Sequence, residues 1–332
     1  MKIAMISANA DAVKRVYPSS LLSRIKEHGE LAEGVVGRSS LEQYKRWLSN
    51  CGALFSTWGM EAFTEEEIRK YFPKLKYVFY AAGSVQHFAA PFLNCGVRVF
   101  SAWQANAVPV AEYTFAQIIL ANKGFFQSVY LTKTKRQEAQ RIAASHAGNY
   151  DTTVGIVGAG AIGSMVCEKL RELHCRVVCY DPFMSGEKAS RLCVEQVSIE
   201  ELFEQSDVIS NHLANKDELE GFYNYPLFKR MKPFATFINT GRGRQVVDAD
   251  LDRALKEEPG RAAVLDVTYP EPLPKDALLI KNEQVFLTPH IAGSMGSEVV
   301  RMAEYMLADF GRVLNGSSPL YEVSLSMLKT MA

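Results

Sequence analysis

Thr153-Val154-Gly155-Ile156-Val157-Gly158-Ala159-Gly160-Ala161-Ile162-Gly163 decides how this chain is read. A short run rich in β-branched residues enters a G-x-G-x-x-G turn, and a helical pattern follows it. In such a turn Gly158 permits the tight reversal, Gly160 lets a pyrophosphate approach the backbone, and Gly163 lets the helix pack closely on its strand. The helix beginning at Ala161 then presents free N–H groups and its positive dipole end to phosphate. Glycine-rich turns occur in many loops, so the strand before and the helix after carry the argument. The next apolar run, CRVVCYD, ends in Asp181, 18 residues after Gly163, where a ribose-binding acid is expected. A carboxylate there accepts hydrogen bonds from both ribose hydroxyls and repels a 2′-phosphate. The neighbours Pro182 and Phe183 bring no cation, so the expected cofactor is NAD rather than NADP.

Outward from this turn, short apolar runs alternate with helical stretches in both directions. Strands are predicted over 153–157, 176–181, 208–211, 236–239, 262–266 and 284–288, and a final helix over 297–315. In that helix Val299, Met302, Met306, Phe310 and Val313 follow helical spacing, and Gly316 ends it. Toward the N-terminus, strands are predicted over 2–7, 53–58, 77–82 and 97–101, with helices such as 19–28 and 65–71 between them. Strand alternating with helix means parallel sheets covered on both faces, so the expected fold is α/β with two doubly wound Rossmann-like domains. A helix over 109–123, with Pro109 near its start, is apolar on almost every face and is expected to lie buried between domains or subunits. The stretch 133–149 is polar and basic and reads as surface. The residues after Gly316 are too few for a domain and are expected to return to the first one.

The 332 residues suit two domains, and 48% hydrophobic with 22% charged residues is the balance of a globular chain. Lys plus Arg equals Asp plus Glu at 37 each, which leaves no electrostatic footprint for nucleic acid or an anionic membrane. No apolar run reaches about 18 residues, the length of a membrane span. The opening MKIAMISANA reads as a first strand rather than a leader. Six cysteines, Cys51, Cys95, Cys167, Cys175, Cys179 and Cys193, contain no C-x-x-C pair. They read as small buried hydrophobes in a reducing cytoplasm, and no metal site is expected.

Three residues farther along carry the chemistry. Arg242, in FINTGRG, follows a predicted strand, at the sheet edge where ligands of open α/β folds bind. Its planar fork suits a carboxylate. Arg244, two positions on, reads as a surface residue of the turn. Glu271 lies between Pro270 and Pro272, 29 residues after Arg242, and His290 of LTPHIAG lies 19 residues after Glu271. A Glu able to orient a His and raise its pKa makes a general acid. A cation, an acid and a proton donor downstream of a dinucleotide turn are the set needed to reduce a keto acid with a nicotinamide cofactor. His28, His87, His146 and His174 have no partner at metal-ligand spacing, and Trp58, after a strand of the first domain, reads equally as cleft lining or as packing.

The stretches AVPVAEYTFAQIIL, VGIVGAGAIG, SIEELFEQSDVISNHL, FINTGRGRQVVD, LDVTYPEPLP and LTPHIAG, in this order and spacing across roughly 106–293, resemble the D-isomer-specific 2-hydroxyacid dehydrogenase family. The resemblance implies that Arg242, Glu271 and His290 are the catalytic set. It implies that Gly158, Gly160, Ala161, Ile162 and Asp181 hold the dinucleotide, with Gly163 closing the turn, His212 contributing at the cofactor, and Thr240 and Asp266 at the nicotinamide end. It implies a NAD-binding domain over 106–293 inserted into a discontinuous substrate domain of 1–105 and 294–332, with the active site between them, and a homodimer. Ala82, Gly83 and Ser84 resemble the family's substrate loop, whose N–H groups grip the substrate carboxylate. Val85-Gln86 stands where many relatives carry Asp, and NHLANKD at 211–217 lacks the usual His-x-Pro, so no particular substrate is carried over.

The function this implies is reversible hydride transfer between NADH and a small 2-keto acid, of hydroxypyruvate, glyoxylate or phosphoglycerate type, giving a D-2-hydroxy acid. Two other readings share the fold. Formate dehydrogenases need no proton donor, and their branch usually lacks a carboxylate at the position of Glu271. NADH-sensing corepressors bind partner peptides, and this chain shows no obvious disordered tail for such regulation.

Overall fold

Strands buried along their whole length carry this chain. All six residues of Cys51–Ser56 and all four of Val208–Asn211, Thr236–Asn239 and Ala262–Leu265 are buried. That is how parallel strands covered on both faces appear in sequence, as continuous apolar runs without alternation. In a computed structural model, which describes residues 1–329, they belong to two compact units: Met1–Ala107 with the segment from Ser294 onward, and Val108–Gly293.

The first unit holds β1 (Lys2–Ile6), β2 (Glu30–Val36), β3 (Cys51–Ser56), β4 (Tyr77–Tyr80) and β5 (Arg98–Ser101), parallel in the order β5-β4-β3-β1-β2. Phe55, Phe79 and Phe100 sit opposite one another on β3, β4 and β5 and stack with centroids 4.9 and 4.7 Å apart. Phe310, from the helix Glu298–Leu314, meets Phe55 and Phe79 edge-on, 5.2 Å from each. This aromatic cluster fixes the C-terminal helix to the first unit.

The second unit holds β6 (Tyr150–Val157), β7 (His174–Tyr180), β8 (Glu195–Gln196), β9 (Val208–Asn211), β10 (Thr236–Asn239), β11 (Ala262–Leu265) and β12 (Val285–Leu287). They are parallel in the order β12-β11-β10-β9-β6-β7-β8. The chain winds outward from β6 through β7 and β8, then returns to β9 and winds the other way. The reversal between β6 and β9 opens a crevice at the carboxyl ends of the strands, where such sheets bind ligands. The last strand, β13 (Glu322–Val323), runs antiparallel beside β5 and closes the first unit's sheet. Among the described residues no helix is long and apolar enough to cross a membrane.

Several details differ from the sequence reading. The helix expected from Pro109 spans Trp103–Asn122, with Pro109 inside it. A proline removes one donor and fixes a φ that suits a helix, so a long helix survives it when the surrounding packing holds. That helix is not covered all round, because Glu112, Ala116 and Leu120 form an exposed stripe. β2 was not anticipated because Gly34, at φ +74°, interrupts its pattern at the sheet edge. β8 and β13, of two residues each, are too short to show a period. Cys193 is exposed, in a left-handed conformation at the end of the helix Gly186–Leu192, whereas the other cysteines are buried or half-buried. Burial pushes the thiols of Cys51 and Cys167 up to about 12, which keeps them protonated and unreactive.

Candidate active site

Four loops of the second unit leave the carboxyl ends of β6, β10, β11 and β12. After β6, Gly158 takes φ +89°, and a Cβ there would stand 2.9 Å from the carbonyl of His212. A Cβ at Gly163 would meet the Gly158 carbonyl oxygen at 2.0 Å. A Cβ at Gly160 would meet nothing within 4 Å. Two of the glycines are thus demanded by backbone contact, and the third faces open space. Gly160 caps the helix Ala161–Leu170 without any side-chain hydrogen bond, so the first N–H groups of that helix, those of Ala161 and Ile162 among them, are free for an anion. A pyrophosphate fits this cradle.

Asp181 lies at the end of β7 and is already engaged. Its Oδ2 accepts from Ala159 N–H and its Oδ1 from Phe183 N–H, each at 2.8 Å. A carboxylate has about four acceptor sites, so capacity for a ribose hydroxyl is left. Lys188 Nζ donates to the Ala159 carbonyl at 2.5 Å. The sequence reading, which looked only at Pro182 and Phe183, found no cation here. A helical turn brings one in from seven residues beyond Asp181.

The three residues expected to react converge. Arg242, Glu271 and His290 line one cavity of about 350 Å³, together with Asn215, Gly243, Arg244, Val267, Thr268 and Tyr269. Glu271 Oε1 accepts from His290 Nδ1–H at 2.8 Å, and both side chains are about half exposed. Arg242 donates Nη1 to the Gly241 carbonyl, and among the described residues no carboxylate stands at ion-pair distance from its guanidinium. Burial lowers its pKa, Glu271 opposes that, and nearby Arg244 adds to it. A half-buried cation without a counter-ion is an anion site.

The loops that aim these groups are held by buried polar side chains. Asp266, at the end of β11, accepts from Ile291 N–H at 2.8 Å, Ala292 N–H at 2.9 Å and Thr288 Oγ1 at 2.6 Å. It therefore knots the segment that carries His290, whose own backbone stands at φ +55°. Asn211 and Asn239 are register partners at the ends of β9 and β10. Asn239 Oδ1 accepts from Gly241 N–H and Asn211 Nδ2, and its Nδ2 donates to the Arg242 carbonyl. Asn211 also donates to Gln245 Oε1 at 2.7 Å and accepts from the Tyr223 hydroxyl at 2.6 Å. Gln245 in turn donates to the Ala214 carbonyl. Asn211, Asn239, Gln245 and Tyr223 are all fully buried. The sequence reading missed this network. Its signal was two asparagines closing adjacent apolar strands, where another apolar residue would otherwise stand.

The other candidates are placed as follows. Thr240 is buried and its hydroxyl lies 3.3 Å from that of Thr114. The His212 ring is buried, with Nε2 2.9 Å from Ser210 Oγ, while its backbone abuts Gly158. Burial holds its pKa down at about 3, so the ring is neutral. Arg244 is not the surface residue expected, since its side chain is only 24% exposed and lines the cavity. In the first unit, Thr57 Oγ1 donates to the Ala81 carbonyl and Ser101 Oγ to those of Ala82 and Gly83. Those carbonyls are turned inward, while the N–H groups of Ala82, Gly83 and Ser84 donate to nothing among the described residues. Trp58 is 36% exposed in the same unit.

A family model described as D-isomer specific 2-hydroxyacid dehydrogenase, NAD binding domain, matches residues 115–292. The chain belongs to this family. The match covers the Gly158 turn, Arg242, Glu271 and His290 together. A glyoxylate reductase of Korarchaeum cryptofilum is 29% identical over 324 residues, 96% of both chains. A D-3-phosphoglycerate dehydrogenase of Archaeoglobus fulgidus is 30% identical over 221 residues, which cover 67% of this chain and 42% of that relative. Among solved structures, the apo form of Rhodotorula graminis D-mandelate dehydrogenase superposes with a TM-score of 0.80 at 20% identity over 97% of both chains. A D-isomer specific 2-hydroxyacid dehydrogenase of Lactobacillus delbrueckii in its NAD complex gives 0.77 at 18% identity over 98% of this chain and 100% of that one. At these identities the likeness is one of fold: two Rossmann-like α/β units, as the dehydrogenase family has.

Proposed function

We propose that this protein reduces a small 2-keto acid to the D-2-hydroxy acid with NADH, reversibly. One observation carries the reading: Arg242, whose guanidinium has no counter-ion among the described residues, and the 2.8 Å Glu271–His290 pair line the same cavity. The Gly158–Gly163 turn and Asp181 would hold the dinucleotide, which in its reduced form, NADH, would supply the hydride. Arg242 binds the substrate carboxylate through its fork and polarises the adjacent carbonyl. His290 gives a proton from Nε2 to the alkoxide oxygen as it forms, and Glu271 fixes the ring and stabilises its charged form. In the oxidative direction the same imidazole takes the proton back. By the resemblance alone, the N–H groups of Ala82, Gly83 and Ser84, which have no acceptor among the described residues, would be carboxylate donors.

The formate reading is disfavoured because the Glu271–His290 pair would have no task in a reaction without proton donation. We place the protein in the cytoplasm, on its six unpaired cysteines, and assign it a homodimer, on the exposed stripe of the helix Trp103–Asn122. The deciding experiment is NADH oxidation followed at 340 nm with glyoxylate, hydroxypyruvate, pyruvate and larger 2-keto acids. Turnover with at least one is expected. Tight NADH binding with no turnover across the panel would sink the enzyme reading in favour of a nucleotide sensor.

A further inference from the structure

Arg244 is the second guanidinium of the cavity that holds Arg242. It donates Nη2 to Asp217 Oδ1 at 2.7 Å, but that carboxylate is 95% exposed on an outer turn. A pair so solvated leaves most of the cation's capacity unused. Arg244 Nε is buried without a partner among the described residues. The acid that lines the cavity, Glu271, is engaged with His290. One substrate carboxylate satisfies Arg242. It leaves the Arg244 guanidinium beside it, held only by an exposed carboxylate and with one buried N–H that has no acceptor.

Resting on the reading of this cavity as a 2-keto acid site, we propose that the preferred substrate carries a second anionic group, carboxylate or phosphate, and that Arg244 is the residue that selects it. The guanidinium fork matches either group with two parallel hydrogen bonds, and the half-buried wall screens that attraction less than bulk water would. A keto acid ending in a methyl or a hydrogen would leave the Arg244 site unfilled.

The test compares 2-keto acids that differ in charge, with NADH as donor. Glyoxylate and pyruvate carry one anionic group; oxaloacetate and 3-phosphohydroxypyruvate carry a second. The expected kcat/KM is at least about tenfold higher for one of the latter two, the worth of one charge-assisted hydrogen bond. Whichever of the two responds identifies the group as carboxylate or phosphate. Arg244→Ala should lower kcat/KM for that acid at least about tenfold more than for glyoxylate, mainly through KM, and Arg244→Lys should restore part of the difference. Equal or poorer use of both dianionic acids by the wild type overturns the proposal, and so does an Arg244→Ala effect that is the same for all four. No turnover of any keto acid removes the underlying reading and this proposal with it, whereas turnover without charge preference removes this proposal alone.

Discussion

Glu271 Oε1 lies 2.8 Å from His290 Nδ1, so the imidazole is held by one nitrogen and presents the other to the cavity shared with Arg242. The backbone is arranged to make this possible. His290 occupies the left-handed region at φ +55°, a conformation few L residues adopt, and the Asp266 carboxylate fastens the residues on either side of it. Strain concentrated at one residue and tied down by its neighbours is a mark of a working site.

From this pairing, His290→Ala should keep NADH binding, measured by fluorescence titration, and lower kcat by about 10²–10⁴-fold, the usual worth of a general acid. Glu271→Gln should cost less, because the amide oxygen still accepts from Nδ1–H. An His290→Ala enzyme within a few-fold of wild type removes His290 from the mechanism.

The buried asparagine network predicts a stability loss with a catalytic consequence. Asn211→Leu leaves the Tyr223 hydroxyl without its acceptor and Gln245 Oε1 without its donor, in a region with no water access. Each orphaned buried group costs about 1–3 kcal/mol, so a total of about 2–6 kcal/mol is expected in urea unfolding. kcat/KM should fall as well, since Asn239, which Asn211 positions, holds the Gly241 N–H and the Arg242 carbonyl. A change below about 0.5 kcal/mol would mean the network is not what fixes this loop.

Two opposed charges stand around Ala159, those of Asp181 and Lys188. If Asp181 holds the ribose as proposed, wild type should use NADH at least about tenfold better than NADPH in kcat/KM, given about 1.5–3 kcal/mol for a lost charged hydrogen bond. Asp181→Ser should narrow the gap. Lys188→Ala should widen it, by removing the cation that stands on the Ala159 carbonyl. Equal use of the two donors by the wild type contradicts this account.

Acid stability follows from His212. Burial lowers its folded pKa to about 3, while the unfolded side chain titrates near 6.5. The unfolded chain therefore binds the proton first. The stability tied to this neutral ring is complete above about pH 6.5 and is lost as pH falls toward about 3. Melting temperature measured from pH 7.5 to 5 should fall in wild type, and His212→Gln should fall less steeply. Identical slopes would show that His212 does not couple to unfolding.

The proposed homodimer would be built on the helix Trp103–Asn122. Ala116 and Leu120 stand one turn apart on its exposed stripe, with the half-buried Phe115 and Ile119 beside them. A homodimer by light scattering is expected, and Leu120→Glu should weaken it. A wild-type monomer at micromolar concentration would refute the assignment.

The fold class was written in the chain itself, and so were the candidates for the reacting residues. Gly158, Gly160 and Gly163 follow an apolar run and open a helical pattern, which marks a strand–turn–helix unit, and continuous apolar runs announce parallel strands because both faces are covered. Arg242, Glu271 and His290 were legible for the same local reason, since each follows a strand end. Tertiary structure alone decided what surrounds them. Lys188 reaches Ala159 from a different helix, Arg244 turns from the expected surface into the cavity, and Asn211 meets Gln245 across 34 residues of sequence. Periodicity reports which face of an element is buried, and it is silent on which buried or charged groups from distant segments arrive at the same point. The charge balance of a site is set by those arrivals.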